Sequence, residues 1–139
     1  MYPERMDTHD TQSDETAVRV LLTSWAAAVR AKDLRGVLAH HAQDISMFDV
    51  PPPFESRGID EYEETWALFY AAQPEPVAFD IKQLDVVAGS DVAFAYALMQ
   101  CAEIAGGRRV PLDFRLTVGL RKVDGHWTVV HEHHSVPAT

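Results

Sequence analysis

The sequence predicts an α+β domain in which three helices cover one face of a curved, mainly antiparallel sheet. Three observations carry that prediction. Apolar residues recur with helical spacing in the first half of the chain, and from Val77 onward they alternate with period two. The alternating stretches are interrupted at regular intervals by Gly89-Ser90, Gly106-Gly107 and Asp124-Gly125, the residue pairs of tight hairpin turns.

Residues 1–12 mix Pro, Asp, Thr, His and Gln with little apolar content and read as a flexible tail, which leaves residues 13–137 as a single domain. Ser13 is placed to cap a first helix, with Asp14 and Glu15 favourably sited at its N-terminus. Val18, Leu21, Leu22, Trp25 and Val29 then form one apolar stripe. Asp33 is a second N-cap, and Leu34, Val37, Leu38 and His41 give a short amphipathic helix ending near Gln43. A strand from Ile45 to Val50 is stopped by Pro51-Pro52-Pro53, which cannot supply ladder hydrogen bonds, so Asp49 stands at a strand end facing a rigid loop. Gly58 and Asp60 open a third helix with Glu63 at the capping-box position. Ile59, Tyr62, Trp66, Phe69 and Tyr70 line its buried face until Pro74 and Pro76.

Four strands follow, at about 77–88, 91–104, 108–123 and 126–136, as an antiparallel meander. A two-residue turn at Gly106-Gly107 puts Ala93, Ala95, Ala97, Met99 and Cys101 on the face of Phe114, Leu116 and Val118. A two-residue turn at Asp124-Gly125, continued without interruption, pairs Val118 with His131, Leu116 with His133, Thr117 with Glu132 and Arg115 with His134. His131 and His133 are therefore expected on the apolar inner face, and Glu132 and His134 on a polar outer one. The small side chains of the alanine row predict a hollow beneath the helices.

At 139 residues and 47% hydrophobic, the chain is long enough for one core without disulfide or metal staples. Its lone cysteine, Cys101, excludes an internal disulfide and fits a reducing, cytoplasmic setting. No apolar run reaches the length of a membrane span, and Met1 to Ser13 is too polar for a signal peptide. The net charge of −9 argues against nucleic acid and anionic membranes as partners.

The predicted hollow gathers the candidate chemistry. Asp49 is the leading candidate base, because an apolar hollow raises a carboxylate's pKa toward neutrality; a loop-capping role is the alternative. His131 is the candidate proton donor or acceptor beside it. Trp25, Tyr62, Trp66, Met99, Cys101, Leu116, Val118 and His133 are the candidate pocket wall. His131 and His133 also have the spacing of two metal ligands on one strand, with Asp49 or Glu103 as a third. A metal is not expected, since no third ligand is identifiable from sequence, and no other cofactor is indicated. Tyr96, Arg115, Thr117, Glu132 and His134, flanked by Phe94 and Leu98, are read as a subunit interface on the outer face.

The element order, the sequence Asp49-Val50-Pro51 and the ending from Lys122-Val123-Asp124-Gly125-His126-Trp127 through Val130-His131-Glu132-His133-His134-Ser135 resemble the nuclear transport factor 2-like superfamily. Within it the SnoaL-like, ketosteroid-isomerase-like branch is the most similar. The resemblance implies a cone-shaped fold, a pocket between sheet and helices, and a homodimer formed through the outer sheet face. It also implies that Asp49 occupies the position of the isomerase's proton-shuttling carboxylate. Trp25 falls near that enzyme's oxyanion-hole tyrosine, where an indole cannot act as a phenol does. The expected function is binding of a small hydrophobic molecule, polyketide-, steroid- or aromatic-like, with isomerase, cyclase or hydratase chemistry by an Asp49–His131 pair. The alternative is a non-catalytic ligand-binding or oligomerisation module of the same fold.

Overall fold

The computed structural model describes residues 11–138. Its elements are α1 (Thr11–Ala31), α2 (Leu34–Leu38), β1 (His41–Phe48), β2 (Ser56–Arg57), α3 (Ile59–Ala72), β3 (Asp80–Ala88), β4 (Val92–Ala105), β5 (Arg108–Val123) and β6 (His126–Ser135). The six strands form one sheet in the order β2-β1-β6-β5-β4-β3. β1 runs parallel to β6, and the other pairings are antiparallel. The sheet is curved but not closed, with β2 and β3 at its edges, and the helices cover one face.

Several boundaries move from their sequence-based positions. Of the expected tail, residues 1–10 lie outside the described residues, whereas Thr11 and Gln12 are already helical and Ser13 sits inside α1 rather than capping it. α1 ends when Lys32 takes a left-handed conformation (φ 56°); the Lys32 N–H donates to the Val29 carbonyl and the Asp33 N–H to that of Ala28, a Schellman closure. Asp33 then caps α2 as expected, accepting from the Gly36 N–H at 3.2 Å. α2 stops at Leu38 because Ala39 is extended and His40 left-handed (φ 61°), so His41 begins a strand instead of ending a helix. Asp49 lies just past the end of β1. Glu61, not Glu63, makes the backbone contact before α3, accepting from the Arg57 N–H at 2.8 Å.

The β4–β5 hairpin has the predicted register, with Met99 opposite Phe114, Ala97 opposite Leu116 and Ala95 opposite Val118. The hollow expected above the alanine row is filled. Ala93, Ala95 and Ala97 share one core with Val18, Leu22, Trp25 and Val29 of α1, because small side chains let the helix approach the sheet closely.

The decisive departure is in β6. Val123 pairs with His126 and Leu120 with Val129, as expected, but Gly119 then pairs with His131, Val118 with Glu132, Thr117 with His133 and Leu116 with His134. Val130 is an extra residue, a β-bulge, and beyond it every side chain changes face. Glu132 and His134 are consequently inside, 1% and 8% exposed, while His131 and His133 are outside the core. The expected dimer-face positions of Glu132 and His134 and the expected inner positions of His131 and His133 are thus exchanged.

Candidate functional site

A pocket of about 480 Å³ lies between α3, the end of β1, the proline loop and the far ends of β4, β5 and β6. Its walls are mostly apolar. Trp66 and Phe69 of α3 meet Phe79 edge-on, with ring centroids 5.5 and 5.8 Å away, and Phe79 lies 5.8 Å from Phe114. Cys101, Leu112, Val136 and Met47 fill the rest of the wall, and Asp49 with Pro51, Pro52 and Pro53 forms its rim. Such a volume, lined by rings and few polar groups, is typical of small-molecule sites.

His134 is the imidazole in that wall, stacked on Phe114 at 5.8 Å with an interplanar angle of 11°. Behind it stands Glu132. Glu132 Oε1 lies 3.0 Å from His134 Nε2, and Oε2 lies 2.9 Å from His41 Nε2 and 2.6 Å from the Tyr62 hydroxyl, which donates to it. His41 Nδ1 faces the Ala39 carbonyl at 2.8 Å, and the Trp25 indole N–H donates to the Tyr62 oxygen at 3.3 Å. Five side chains from α1, β1, α3 and β6 therefore form one buried polar network. Trp66 Nε1, beside it, is buried and meets no acceptor within hydrogen-bond geometry among the described residues.

The electrostatics follow from this arrangement. Burial pushes the Glu132 carboxyl up, but hydrogen bonds and charge from His134 and His41 outweigh it and hold its pKa down at about 2. Burial lowers His134, yet the hydrogen bond and charge of Glu132, helped by the charge of Asp49, leave it raised. Tyr62 is raised well above its ordinary value by burial and by the neighbouring carboxylate. Cys101 is pushed up to about 11 by burial and by Glu103, so it is a poor nucleophile.

An ionised carboxylate can only accept hydrogen bonds, so His134 Nε2 must be the donor to Glu132. Among the described residues no protein group bonds His134 Nδ1, the ring nitrogen left for a molecule in the pocket. This is the base-and-orienter geometry of acid–base sites, with Glu132 fixing ring and tautomer. Asp49 is partly exposed at the rim, its Oδ1 accepting from the Val50 N–H at 2.8 Å.

The sequence-based site is only partly assembled. Asp49, Trp66 and Cys101 line the pocket, whereas Trp25, Tyr62, Met99, Leu116 and Val118 are core residues behind it. His131 is held outside, with Nδ1 2.7 Å from Ser46 Oγ, and therefore does not pair with Asp49 in the pocket. His133 borders a shallow hollow with Phe48, Phe54 and the opposite side of the proline loop. Among the described residues no three His, Cys, Asp or Glu side chains are grouped to hold a metal ion. Tyr96, Arg115 and Thr117 are on the outer face as expected, but Arg115 donates to Ser135 Oγ at 3.1 Å rather than meeting Glu132. The residues that sequence reasoning misplaced are His41, Glu132 and His134. The available signal was Gly119, a glycine inside an alternating strand, which marks bulges.

Among curated proteins none matches this chain. Solved structures do. A nuclear transport factor 2-like protein of unknown function from Pseudomonas putida KT2440 is 32% identical, with a TM-score of 0.83 over 93% of this chain and 90% of its own. A ketosteroid isomerase-like protein from Erwinia carotovora atroseptica SCRI1043 is 20% identical, with a TM-score of 0.74 over 91% of this chain and 98% of its own. A proposed dehydratase of the nuclear transport factor 2-like family from Streptomyces avermitilis is 17% identical, with a TM-score of 0.79 over 93% and 100%. The family model described as the SnoaL-like domain matches residues 18–139. With the helix-covered sheet in place, the chain belongs to the SnoaL-like family of the nuclear transport factor 2-like superfamily.

Proposed function

We propose that the protein binds a small, flat, largely apolar molecule in the pocket beside α3 and acts on it by acid–base chemistry, as an isomerase, cyclase or dehydratase. The observation that carries this reading is the Glu132–His134 pair, which leaves one imidazole nitrogen free in an otherwise apolar, ring-lined space. A ligand carbonyl oxygen receives the His134 Nδ1 proton as Asp49 removes a proton from the adjacent carbon, giving an enol. Proton return from the Asp49 carboxyl to another carbon, with His134 recovering the oxygen proton, completes an isomerisation. The same two groups serve loss of water, Asp49 as base and His134 protonating the departing hydroxyl. The similarity to a ketosteroid isomerase-like protein and to a proposed dehydratase is consistent with this class of reaction.

The test is exchange of the α-hydrogens of aromatic and steroid-like ketones in deuterated water, followed by NMR. The expected result is catalysed exchange that drops about 100-fold or more in His134→Gln and Asp49→Asn but persists in His131→Ala. Ala72→Trp, at an exposed α3 position on the pocket wall, should abolish binding with the fold intact. Exchange that survives in His134→Gln rejects the reading.

A second reading concerns assembly. We infer that two copies pair through the outer sheet face, because Phe94, Tyr96 and Leu98 are each nearly half exposed in one row on β4, beside Arg115 and Thr117. Pairing alone, with an inert pocket, would make the protein an oligomerisation module. The free nitrogen of His134 in the pocket favours the first reading. No described helix is long and apolar enough to cross a membrane, and a cytoplasmic setting, with the single buried thiol reduced, belongs to the same proposal.

A further inference from the structure

Glu132 is a carboxylate held between two imidazoles in a region closed to water, and the two are not equivalent. His134 touches the pocket with one nitrogen free. His41 does not line it: its side chain is 1% exposed, its ring stacks on Tyr62 at 5.0 Å, and both its nitrogens are engaged. Nε2 faces Glu132 Oε2 and Nδ1 faces the Ala39 carbonyl, and neither oxygen can donate. Tyr62 spends its hydroxyl proton on Glu132 at 2.6 Å, so its oxygen is also an acceptor, 3.1 Å from His41 Nε2. Every polar atom around His41 is therefore an acceptor, an environment satisfied in full by the doubly protonated ring.

We propose that His41 is a positioning residue, a permanent internal counter-ion of Glu132 that leaves His134 free to give and take a proton at the pocket. The reason is the cost of an unpaired charge away from water. If His134 were the only cation beside Glu132, losing its proton would strand a buried carboxylate without a partner, a strongly disfavoured state. With His41 on the other oxygen, Glu132 keeps one cationic partner in both states of His134. The β1 bulge makes this possible: His41 pairs beside Val129 and Ser46 beside His131, so β1 carries extra residues between them and delivers His41 to the core behind β6. The charged and titratable groups around the pair are Glu132 on β6, His41 on β1, Tyr62 on α3 and Asp49 beyond β1, and Asp49 faces His134 from the rim.

This inference rests on His134 being the group that acts in the pocket, but its test needs no substrate. Ring nitrogen NMR on the ¹⁵N-histidine-labelled full chain reads each imidazole separately. As the pH rises from about 6 to 9, His41 is expected to keep both ring protons while His134 loses the one on Nδ1. In His41→Gln, which keeps a donor toward Glu132 but removes the charge, the His134 midpoint should rise by about one pH unit or more, a tenfold tighter hold on its proton. A His41 ring that is neutral or titrates before His134 overturns the proposal, as does a folded His41→Gln protein with an unmoved or lowered His134 midpoint. Should His41→Gln not fold, the unsubstituted protein decides the matter by itself. Failure of the isotope-exchange experiment with intact His41 behaviour would reject the catalytic reading and leave the counter-ion in place.

Discussion

Glu132 and His134 stand two residues apart on β6 with Oε1 3.0 Å from Nε2, and both side chains are inside the molecule. Alternate residues of a strand share a face, so one strand supplies both halves of the pair, and the face it uses is set by the bulge at Val130. The consequences can be measured.

Stability should depend on pH in a way that Glu132→Gln removes. Glu132 is depressed from 4.5 to about 2, so its contribution is complete above 4.5 and is lost as the pH falls toward 2. His134 is raised above 6.5, so its contribution is complete below 6.5 and is lost as the pH rises through its folded value. Urea denaturation should therefore show the largest gap between the native protein and Glu132→Gln near pH 5.5, about 3–5 kcal/mol, with the gap closing at acid pH. A constant gap across that range would contradict the ion-pair assignment.

Tyr62→Phe deletes one hydroxyl that donates to a buried carboxylate at 2.6 Å. Loss of a charged hydrogen bond should cost about 1.5–3 kcal/mol, and the acid limb of the stability profile should move to higher pH because Glu132 loses a donor. Trp25→Phe removes the 3.3 Å N–H contact to the Tyr62 oxygen together with part of a buried ring that meets Trp66 and Phe79 edge-on, so it should cost stability while leaving the acid limb in place. A Tyr62→Phe protein whose acid limb does not move would mean that the hydroxyl does not help to hold the Glu132 charge.

Deleting Val130 takes away the bulge residue and restores uninterrupted alternation from Trp127 to Ser135. Val129 would then be followed directly by His131, Gly119 would still stand opposite His131, and Glu132 and His134 would keep their inward places opposite Val118 and Leu116. We expect the deletion to fold with native-like amide dispersion in NMR spectra and a loss within about 3 kcal/mol; a collapse of dispersion would mean that the bulge itself is needed to bend the strand. Gly119→Ala is the control, since its added Cβ would meet the His131 Cβ at an ordinary 3.6 Å, and it should fold.

Charges introduced on the outer sheet face should separate subunits without unfolding them. Tyr96→Asp with Leu98→Lys alters two half-exposed side chains, so thermal stability of the isolated chain should change by little while light scattering reports a shift from dimer to monomer. An unsubstituted protein that is already monomeric at micromolar concentration would remove the assembly proposal.

The parts legible in the sequence are those fixed by local rules. The stripe from Val18 to Val29, the cap at Asp33, the turns at Gly106-Gly107 and Asp124-Gly125 and the β4–β5 register all depend on side chains a few residues apart, and the structure has each of them. Asp49 at the edge of an apolar space was legible for the same reason: prolines end strands. His41 was not, because its helical spacing with Leu34, Val37 and Leu38 conceals a left-handed residue at His40 that starts a new strand.

By itself the sequence determined the order of helices and strands, the amphipathic faces and the membership of a superfamily, since periodicity and turn chemistry are written residue by residue. Only the tertiary structure decided which histidine meets the pocket. One unpaired residue at Val130 reverses the last part of β6, and a carboxylate can accept that reversal because His41, Tyr62 and Trp25 converge on it from elements far away in the chain. A buried charge is tolerated only where its partners already stand, and where they stand is a property of the folded sheet and helices together.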